Sequence, residues 1–290
     1  MELELKKSVS IIIPVYNEGK TVGSVLNELK QCLKERVPDY EIIVVDDGSV
    51  DHTRQILEQI TEIEVVTHLE NRGYGAAIKS GVRQAKGEYI LIIDADGTYP
   101  ITAIPELISL TDYDMVVGAR TKPTAQIPLI RKPAKWLLNQ LANYLTGIKI
   151  PDLNSGLRLI KKDTLNKFAH LLPDGFSLTT TITLALLTNG SPVKYLAIDY
   201  YRREGKSKFR PIKDSLNYFQ LIIRTILYFE PLKIFLPAGL ALFLLSLAVL
   251  IYSYFFTPKV MDITTIILFI SAIQILAIGM LADLVVKYKK

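Results

Sequence analysis

Over its first hundred residues the chain alternates short runs of β-branched residues with longer amphipathic stretches, the pattern of parallel strands crossed over by helices. Val9–Ile13, Glu41–Val45, Glu64–Thr67 and Tyr89–Ile93 read as strands, and Lys20–Glu35 and Ala76–Gln84 as helices. Pro14 brings no N–H to a ladder and is expected to end the first strand, after which Asn17-Glu18-Gly19 turns the chain into a helix. Polar and glycine residues follow the other strands as well: Asp46-Asp47-Gly48-Ser49, Asn71-Arg72-Gly73-Tyr74-Gly75 and Asp94-Ala95-Asp96-Gly97. In an open α/β sheet ligands collect outside the carboxyl ends of strands. The expected fold class is α/β, with its site at those ends.

The pattern changes towards the carboxyl terminus. Ile234–Phe256 carries no charge and Ile263–Val286 only Asp283, and each run is long enough to span roughly 30 Å of hydrocarbon. The amino-terminal Met-Glu-Leu-Glu-Leu-Lys-Lys does not read as a signal peptide. A cell-membrane protein with two spans is therefore expected, its large domain and both termini cytoplasmic. Arg224, Lys233, Lys287, Lys289 and Lys290 supply the matching charge bias. The expected division is a catalytic domain over residues 1–210, an amphipathic juxtamembrane helix over 211–233, and a hairpin with a short basic tail over 234–290. Trp136–Leu145 reads as a second interfacial helix. Gly239, Ala241, Ala272 and Gly279 are small-residue cues to helix association, including a homo-oligomer.

Composition sharpens the choice of partner. The 290 residues carry a formal net charge of +5. Between Tyr200 and Lys233 eight basic residues face three acidic ones, just ahead of the first apolar run. That position suits anionic headgroups or a phosphorylated lipid rather than nucleic acid. The single cysteine, Cys32, cannot form an intrachain disulfide, and the three histidines show no zinc-ligand spacing.

No G-x-G-x-x-G follows the first strand and no G-x-x-x-x-G-K-[ST] is present, which disfavours dinucleotide and phosphate-loop chemistry. The strand ends instead carry Glu18, Asp46, Asp47, Asp94 and Asp96, which would repel a bare phosphate. A divalent cation resolves the conflict: a bend can aim Asp94 and Asp96 at one Mg²⁺ or Mn²⁺ that bridges to a diphosphate. Of Asp46 and Asp47, one is expected to cap the turn and the other to accept hydrogen bonds from a base or ribose. Gly73 and Gly75 permit close approach of a ligand to the backbone, with Arg72 and Lys79 supplying positive charge nearby.

Several separated blocks resemble the metal-dependent, inverting nucleotide-sugar glycosyltransferases typified by dolichyl-phosphate mannose synthase. They are Ile11–Glu18, Val44–Ser49, Asn71–Ala77, Ile92–Gly97 and Asp152–Arg158, while Tyr200–Lys208 is similar to the polyprenyl-phosphate branch within glycosyltransferase family 2. The resemblance implies a Rossmann-like GT-A domain with interfacial helices and two carboxyl-terminal transmembrane helices. It implies that Pro14, Tyr16 and Glu18 line the base and ribose pocket, that Asp46 holds the base, and that Asp94 and Asp96 carry the diphosphate and metal. Asp47 and Lys79 complete the expected nucleotide-sugar set. The reaction implied is inverting transfer of a hexose from a UDP- or GDP-linked donor to dolichyl or undecaprenyl phosphate.

An acceptor phosphate is already largely ionised near pH 7, so no strong general base is needed. Neutralising the leaving diphosphate and aligning the acceptor are the difficult parts. Arg203 and Lys208, helped by Arg202, are expected to grip the acceptor phosphate, with Arg131, Ser155 and Arg158 as further candidates. Asp94, Asp96, Asp152 and Arg203 form the expected catalytic set. Relatives commonly place a carboxylate in the Phe176–Gly190 region, where this chain has Thr179, Thr180 and Thr181. The alternatives are a polysaccharide-forming glycosyltransferase and a non-catalytic nucleotide-sugar-binding membrane scaffold. Two spans and the lack of a glutamine-x-x-arginine-tryptophan motif weigh against the first, and the intact acidic pair against the second.

Overall fold

The computed structural model describes residues 8–34, 36–122, 132–175, 177–201, 230–257 and 262–288, together with 220, 223 and 226–228. It has two compact units, Met1–Phe219 and Gln220–Lys290.

The first unit is built on a seven-stranded sheet: β1 (Val9–Val15), β2 (Tyr40–Asp46), β3 (Glu64–Thr67), β4 (Tyr89–Ile92), β5 (Met115–Ala119), β6 (Arg158–Lys161) and β7 (Val193–Ala197). Their order is β3-β2-β1-β4-β6-β5-β7. Only β6 runs against its neighbours, antiparallel to both β4 and β5. Period-two alternation sorts β1 between two layers. Ile11 and Ile13 join a cluster with Val22, Val25, Leu26, Leu29 and Leu33 from helix α1 (Val22–Lys34). Each such buried side chain contributes roughly 1.5–3 kcal/mol. Ile12 points to the opposite face, where α3 (Tyr74–Gln84) packs so closely that a Cβ on Gly81 would lie 2.6 Å from it.

β1 does not stop at Pro14. It continues to Val15, with Pro14 opposite Val45 of β2. The Ile12 carbonyl accepts from Ile93 on the β4 side, whereas the Val15 carbonyl accepts from Asp47 on the β2 side. By alternation the position of the missing Pro14 N–H faces β4, whose pairing with β1 ends at Ile12 and Ile92. The proline therefore costs no ladder bond.

Helices α2 (Thr53–Glu58), α4 (Ile104–Ser109), α5 (Lys132–Thr146), α6 (Lys162–Lys167) and α7 (Leu178–Thr188) complete the unit. The α5 segment includes the predicted Trp136–Leu145 helix, and Trp136 and Tyr144 on it are exposed. α7 is buried on all sides from Leu178 to Leu187, which explains its lack of an amphipathic pattern.

The second unit is an antiparallel pair of helices, Leu232–Phe256 and Asp262–Tyr288, both long and apolar enough to cross a membrane. Gly239 and Gly279 let them approach: a Cβ would come within 2.6 Å of Leu276 at the first and 2.4 Å of Phe235 at the second. Ser246 Oγ donates to the Thr265 carbonyl at 3.0 Å. Gly239, Ala272 and Gly279 thus serve the contact within the hairpin. Large apolar side chains including Leu240, Phe243, Leu247, Ile266, Ile273 and Leu284 are exposed.

Candidate active site

The loops leaving β1 and β2 are stitched together. Asn17 takes a left-handed φ of 51°. Its N–H donates to Ser49 Oγ at 2.9 Å, and its Oδ1 accepts the Val50 N–H at 2.8 Å. The Glu18 N–H donates to Thr53 Oγ1 at 3.0 Å and the Gly19 N–H to Asp51 Oδ2 at 3.2 Å. Pro14, Tyr16 and Glu18 lie half-buried along this seam.

Asp46 and Asp47 are both buried but do different work. Asp47 accepts the Arg72 N–H at 3.0 Å and the Gly73 N–H at 2.8 Å, and lies 2.6 Å from His68 Nδ1. Its carboxylate organises the turn from β3 into α3. Asp46 Oδ1 accepts the Ser49 N–H at 2.9 Å. Its Oδ2, 3.5 Å from Arg54 Nε, has no hydrogen-bond partner among the described residues. A buried acceptor in that state is costly unless a ligand donor meets it.

Asp94 and Asp96 follow β4, both half-buried, with Ala95 turned inward and its carbonyl bonded to Thr21 Oγ1 at 2.9 Å. Asp96 Oδ1 accepts from Thr98 Oγ1 at 2.6 Å and from the Thr98 N–H at 3.2 Å. Asp94 Oδ1 accepts the Tyr74 hydroxyl at 2.9 Å. Burial and the neighbouring Asp94 push the Tyr74 pKa well up, so the phenol stays a donor. No cluster of three or more His, Cys, Asp or Glu that could hold a metal occurs among the described residues. A paired carboxylate site fits Mg²⁺ or Mn²⁺ that completes its shell with substrate phosphate and water, and does not fit a fully protein-caged ion.

The antiparallel β6 brings a second loop to this place. Ile92 pairs with Arg158, and extending the register by two residues sets Asp94 against Gly156. A Cβ on Gly156 would lie 2.3 Å from Asp94 Oδ2. The Gly156 N–H donates to the Tyr99 hydroxyl oxygen at 2.6 Å, and Ser155 Oγ to the Gly118 carbonyl at 2.5 Å. Asp152 is gripped by Arg120 through Nε at 2.7 Å, Nη2 at 2.9 Å and the backbone N–H at 3.0 Å. Burial opposes the Arg120 charge, but Tyr99 and Asp152 outweigh it and hold that pKa up. The guanidinium lies 5.1 Å from the centre of the Tyr200 ring, which packs edge-on to Tyr99.

Arg158 is fully buried beneath this loop. It donates to the Ser155 carbonyl at 2.6 Å, the Leu153 carbonyl at 2.8 Å and Thr183 Oγ1 at 2.5 Å. Burial lowers its pKa from the ordinary value. Lys79 donates to the Leu172 carbonyl at 3.2 Å and pairs with Asp174, so it braces α3 against the segment before α7. The structure thus gathers Asp94, Asp96, Asp152, Ser155 and Arg158 around the end of β4, and Asp46 and Asp47 around the end of β2. Arg131, Arg202, Arg203 and Lys208 lie outside the described residues, as does most of the 211–233 segment. Sequence reasoning missed Arg120 and Tyr99, which stand in no spaced motif. It also passed over Tyr74, although the Asn71–Gly75 block drew attention to its glycines.

Residues 10–168 match the model of glycosyl transferase family 2, and residues 230–287 match the GtrB C-terminal hairpin. The chain belongs to glycosyltransferase family 2. It is 31% identical over 258 residues to an undecaprenyl-phosphate 4-deoxy-4-formamido-L-arabinose transferase from Yersinia enterocolitica, covering 86% of this chain and 77% of that one. A protein of the same name from Pseudomonas fluorescens is 30% identical, covering 81% of this chain and 69% of that one. Among solved structures, glucosyl-3-phosphoglycerate synthase from Mycobacterium tuberculosis, in complex with Mn²⁺, uridine diphosphate and phosphoglyceric acid, superposes with a TM-score of 0.59 at 18% identity. That match covers 76% of this chain and 79% of the other. The family 2 domain is therefore a GT-A fold and the protein a glycosyltransferase, with two helices able to span a membrane.

Proposed function

We propose that this family 2 enzyme transfers a hexose from a UDP- or GDP-linked donor to the phosphate oxygen of a polyprenyl phosphate, inverting the anomeric centre. The observation that carries the reading is the Asp94 and Asp96 pair at the end of β4, in a GT-A sheet whose chain also contains a membrane-length hairpin. The names of the Yersinia and Pseudomonas relatives support a polyprenyl-phosphate acceptor, and the uridine diphosphate in the Mycobacterium structure supports a nucleotide-linked donor.

Asp46 Oδ2 is the acceptor for a base N–H, next to Pro14, Tyr16 and Glu18 along the ribose side. Asp94 and Asp96 would hold Mg²⁺ or Mn²⁺, and that ion would supply positive charge to the leaving diphosphate. Asp152 acts by fixing Arg120 at the edge of the site. Asp47 and Lys79 hold the loops on which the nucleotide lies, and Ser155 and Arg158 support the 152–158 loop from beneath. Arg203 and Lys208, with Arg202 and Arg131, grip the acceptor phosphate as bidentate or point charges. The hairpin keeps the domain at the cytoplasmic face of the cell membrane, where the headgroup is reached without lifting the tail into water. Each exposed methylene would cost about 0.8 kcal/mol.

Purified full-length protein is expected to convert a radiolabelled sugar nucleotide into a chloroform-soluble sugar phosphate when Mg²⁺ or Mn²⁺ and undecaprenyl or dolichyl phosphate are supplied, adding one sugar per lipid. Products with long sugar chains would favour the polysaccharide-forming alternative. Absence of product across UDP- and GDP-linked donors and both lipids would sink the acceptor assignment.

A further inference from the structure

We propose that Asn154 reads the sugar being transferred, and that Thr180 is the positioning residue that turns its carboxamide. This rests on the donor-binding part of the proposed function, not on the identity of the acceptor.

The sheet order sets the direction in which a sugar nucleotide lies. The base acceptor Asp46 ends β2, the acidic pair follows β4, and the 152–158 loop enters β6, one strand further on. At a spacing of about 4.8 Å per strand, β2 and β4 are separated by roughly 10 Å, the reach from a base to its diphosphate. The group beyond the diphosphate then falls on the β6 side. Gly156 already touches Asp94 there, and Asn154 is within about 7 Å of chain from it.

Within residues 152–158 every side chain but one is buried, and the exception is Asn154. Asp152 is committed to Arg120, Ser155 to the Gly118 carbonyl, and Arg158 to carbonyls and Thr183. Asn154 Oδ1 accepts the hydroxyl of Thr180, which is itself fully buried on α7. Its Nδ2 has no hydrogen-bond partner among the described residues. With the oxygen fixed, the NH₂ group is left as a directed donor suited to a hydroxyl or ring oxygen of a sugar. Thr181 and Thr183 instead bond back to the carbonyls of Ser177 and Thr179 on their own helix. Thr180 thus differs from them in donating its hydroxyl to another element, in a region where relatives commonly place a carboxylate. A neutral amide held by a neutral hydroxyl suits an uncharged ring rather than a phosphate.

The test is equilibrium binding by calorimetry, with full-length protein in detergent and Mn²⁺, using UDP-glucose, UDP-galactose, UDP-N-acetylglucosamine and GDP-mannose against UDP and GDP alone. In wild type at least one sugar nucleotide binds more tightly than its bare diphosphate. Asn154→Ala removes that sugar-dependent gain, about three- to tenfold, while UDP and GDP bind as before. Thr180→Val lowers the same gain without touching the bare nucleotides, and Thr180→Ser restores it. Unchanged sugar preference in Asn154→Ala would overturn the proposal, as would equal losses for UDP and UDP-sugar, or a wild type that gains nothing from any sugar of the panel. Because no lipid is present, failure of the acceptor assignment in the turnover assay leaves this outcome distinct.

Discussion

The hydroxyl of Tyr74, in the first turn of α3, donates to Asp94 Oδ1 at 2.9 Å across the ends of two different strand–loop units. Gly73 and Gly75 place it: each packs on the backbone of residues 173–175 so tightly that a Cβ would collide. Tyr74→Phe keeps the ring and frees the carboxylate to rotate. The expected result is a ten- to hundredfold weaker apparent affinity for Mn²⁺ in the presence of UDP, read by electron paramagnetic resonance. Equal Mn²⁺ binding in variant and wild type would remove Tyr74 from this role.

Gly156→Ala places a methyl group where Asp94 Oδ2 lies, 2.3 Å away. The carboxylate or the loop must move by about an ångström, and turnover is expected to fall about a hundredfold. Far-ultraviolet circular dichroism is expected to stay as in wild type, since the change touches one loop. Full activity in this variant would contradict the close packing of β6 on the acidic pair.

Asp152→Ala leaves the largely, though not fully, buried Arg120 guanidinium without its carboxylate. Breaking a pair of this kind costs about 3–5 kcal/mol, and thermal denaturation of the detergent-solubilised protein should report a clearly lower Tm. Replacing both residues, Asp152→Leu with Arg120→Met, is expected to recover part of that stability but none of the activity. Wild-type stability in the single variant would show that the pair is not structural.

Asp51 couples pH to the loop that holds Gly19. Burial by itself would raise this carboxyl, yet hydrogen bonds from Thr53 and from the Gly19 N–H outweigh it and leave the pKa below the usual value. A group depressed in the folded state stabilises fully above its unfolded pKa, about 3.9, and loses that contribution as pH falls through the folded value. Asp51→Asn is therefore expected to lower Tm at pH 7, with the gap to wild type closing below about pH 4. A gap of constant size across that range would contradict the linkage.

Much of the amino-terminal half of the sheet was legible in the sequence because its strands are parallel, β-branched and followed at once by polar turns. Glu64–Thr67 is a strand as expected, and α3 begins two residues earlier than the apolar pattern suggested, at Tyr74. Pro14 misled because a proline's effect depends on which side of the strand its missing N–H faces, and that requires knowing where β4 stops. The β6 half was harder. Arg-Leu-Ile-Lys is too short to announce a strand, its antiparallel pairing is non-local, and α7 has no polar face to give it a period. Arg120 meets Asp152 across 32 residues of sequence, so composition alone offers no means of joining them. Lys79 illustrates the converse: its charge was visible, but its partner Asp174 was set by how α3 docks.

The reversal of β6 also bears on how the enzyme could be re-engineered. Loops that leave β2 and β4 carry the carboxylates proposed to serve the nucleotide, whereas the loop facing them arrives from the opposite direction, into β6. Residues 152–158 are pinned there by Gly156 against Asp94 and by Asp152 on Arg120, which leaves Asn154 as the half-buried position of the stretch. On the proposed role of Asn154, exchanging it together with its buttress Thr180 on α7 would be the direct route to redirecting the enzyme towards a different monosaccharide.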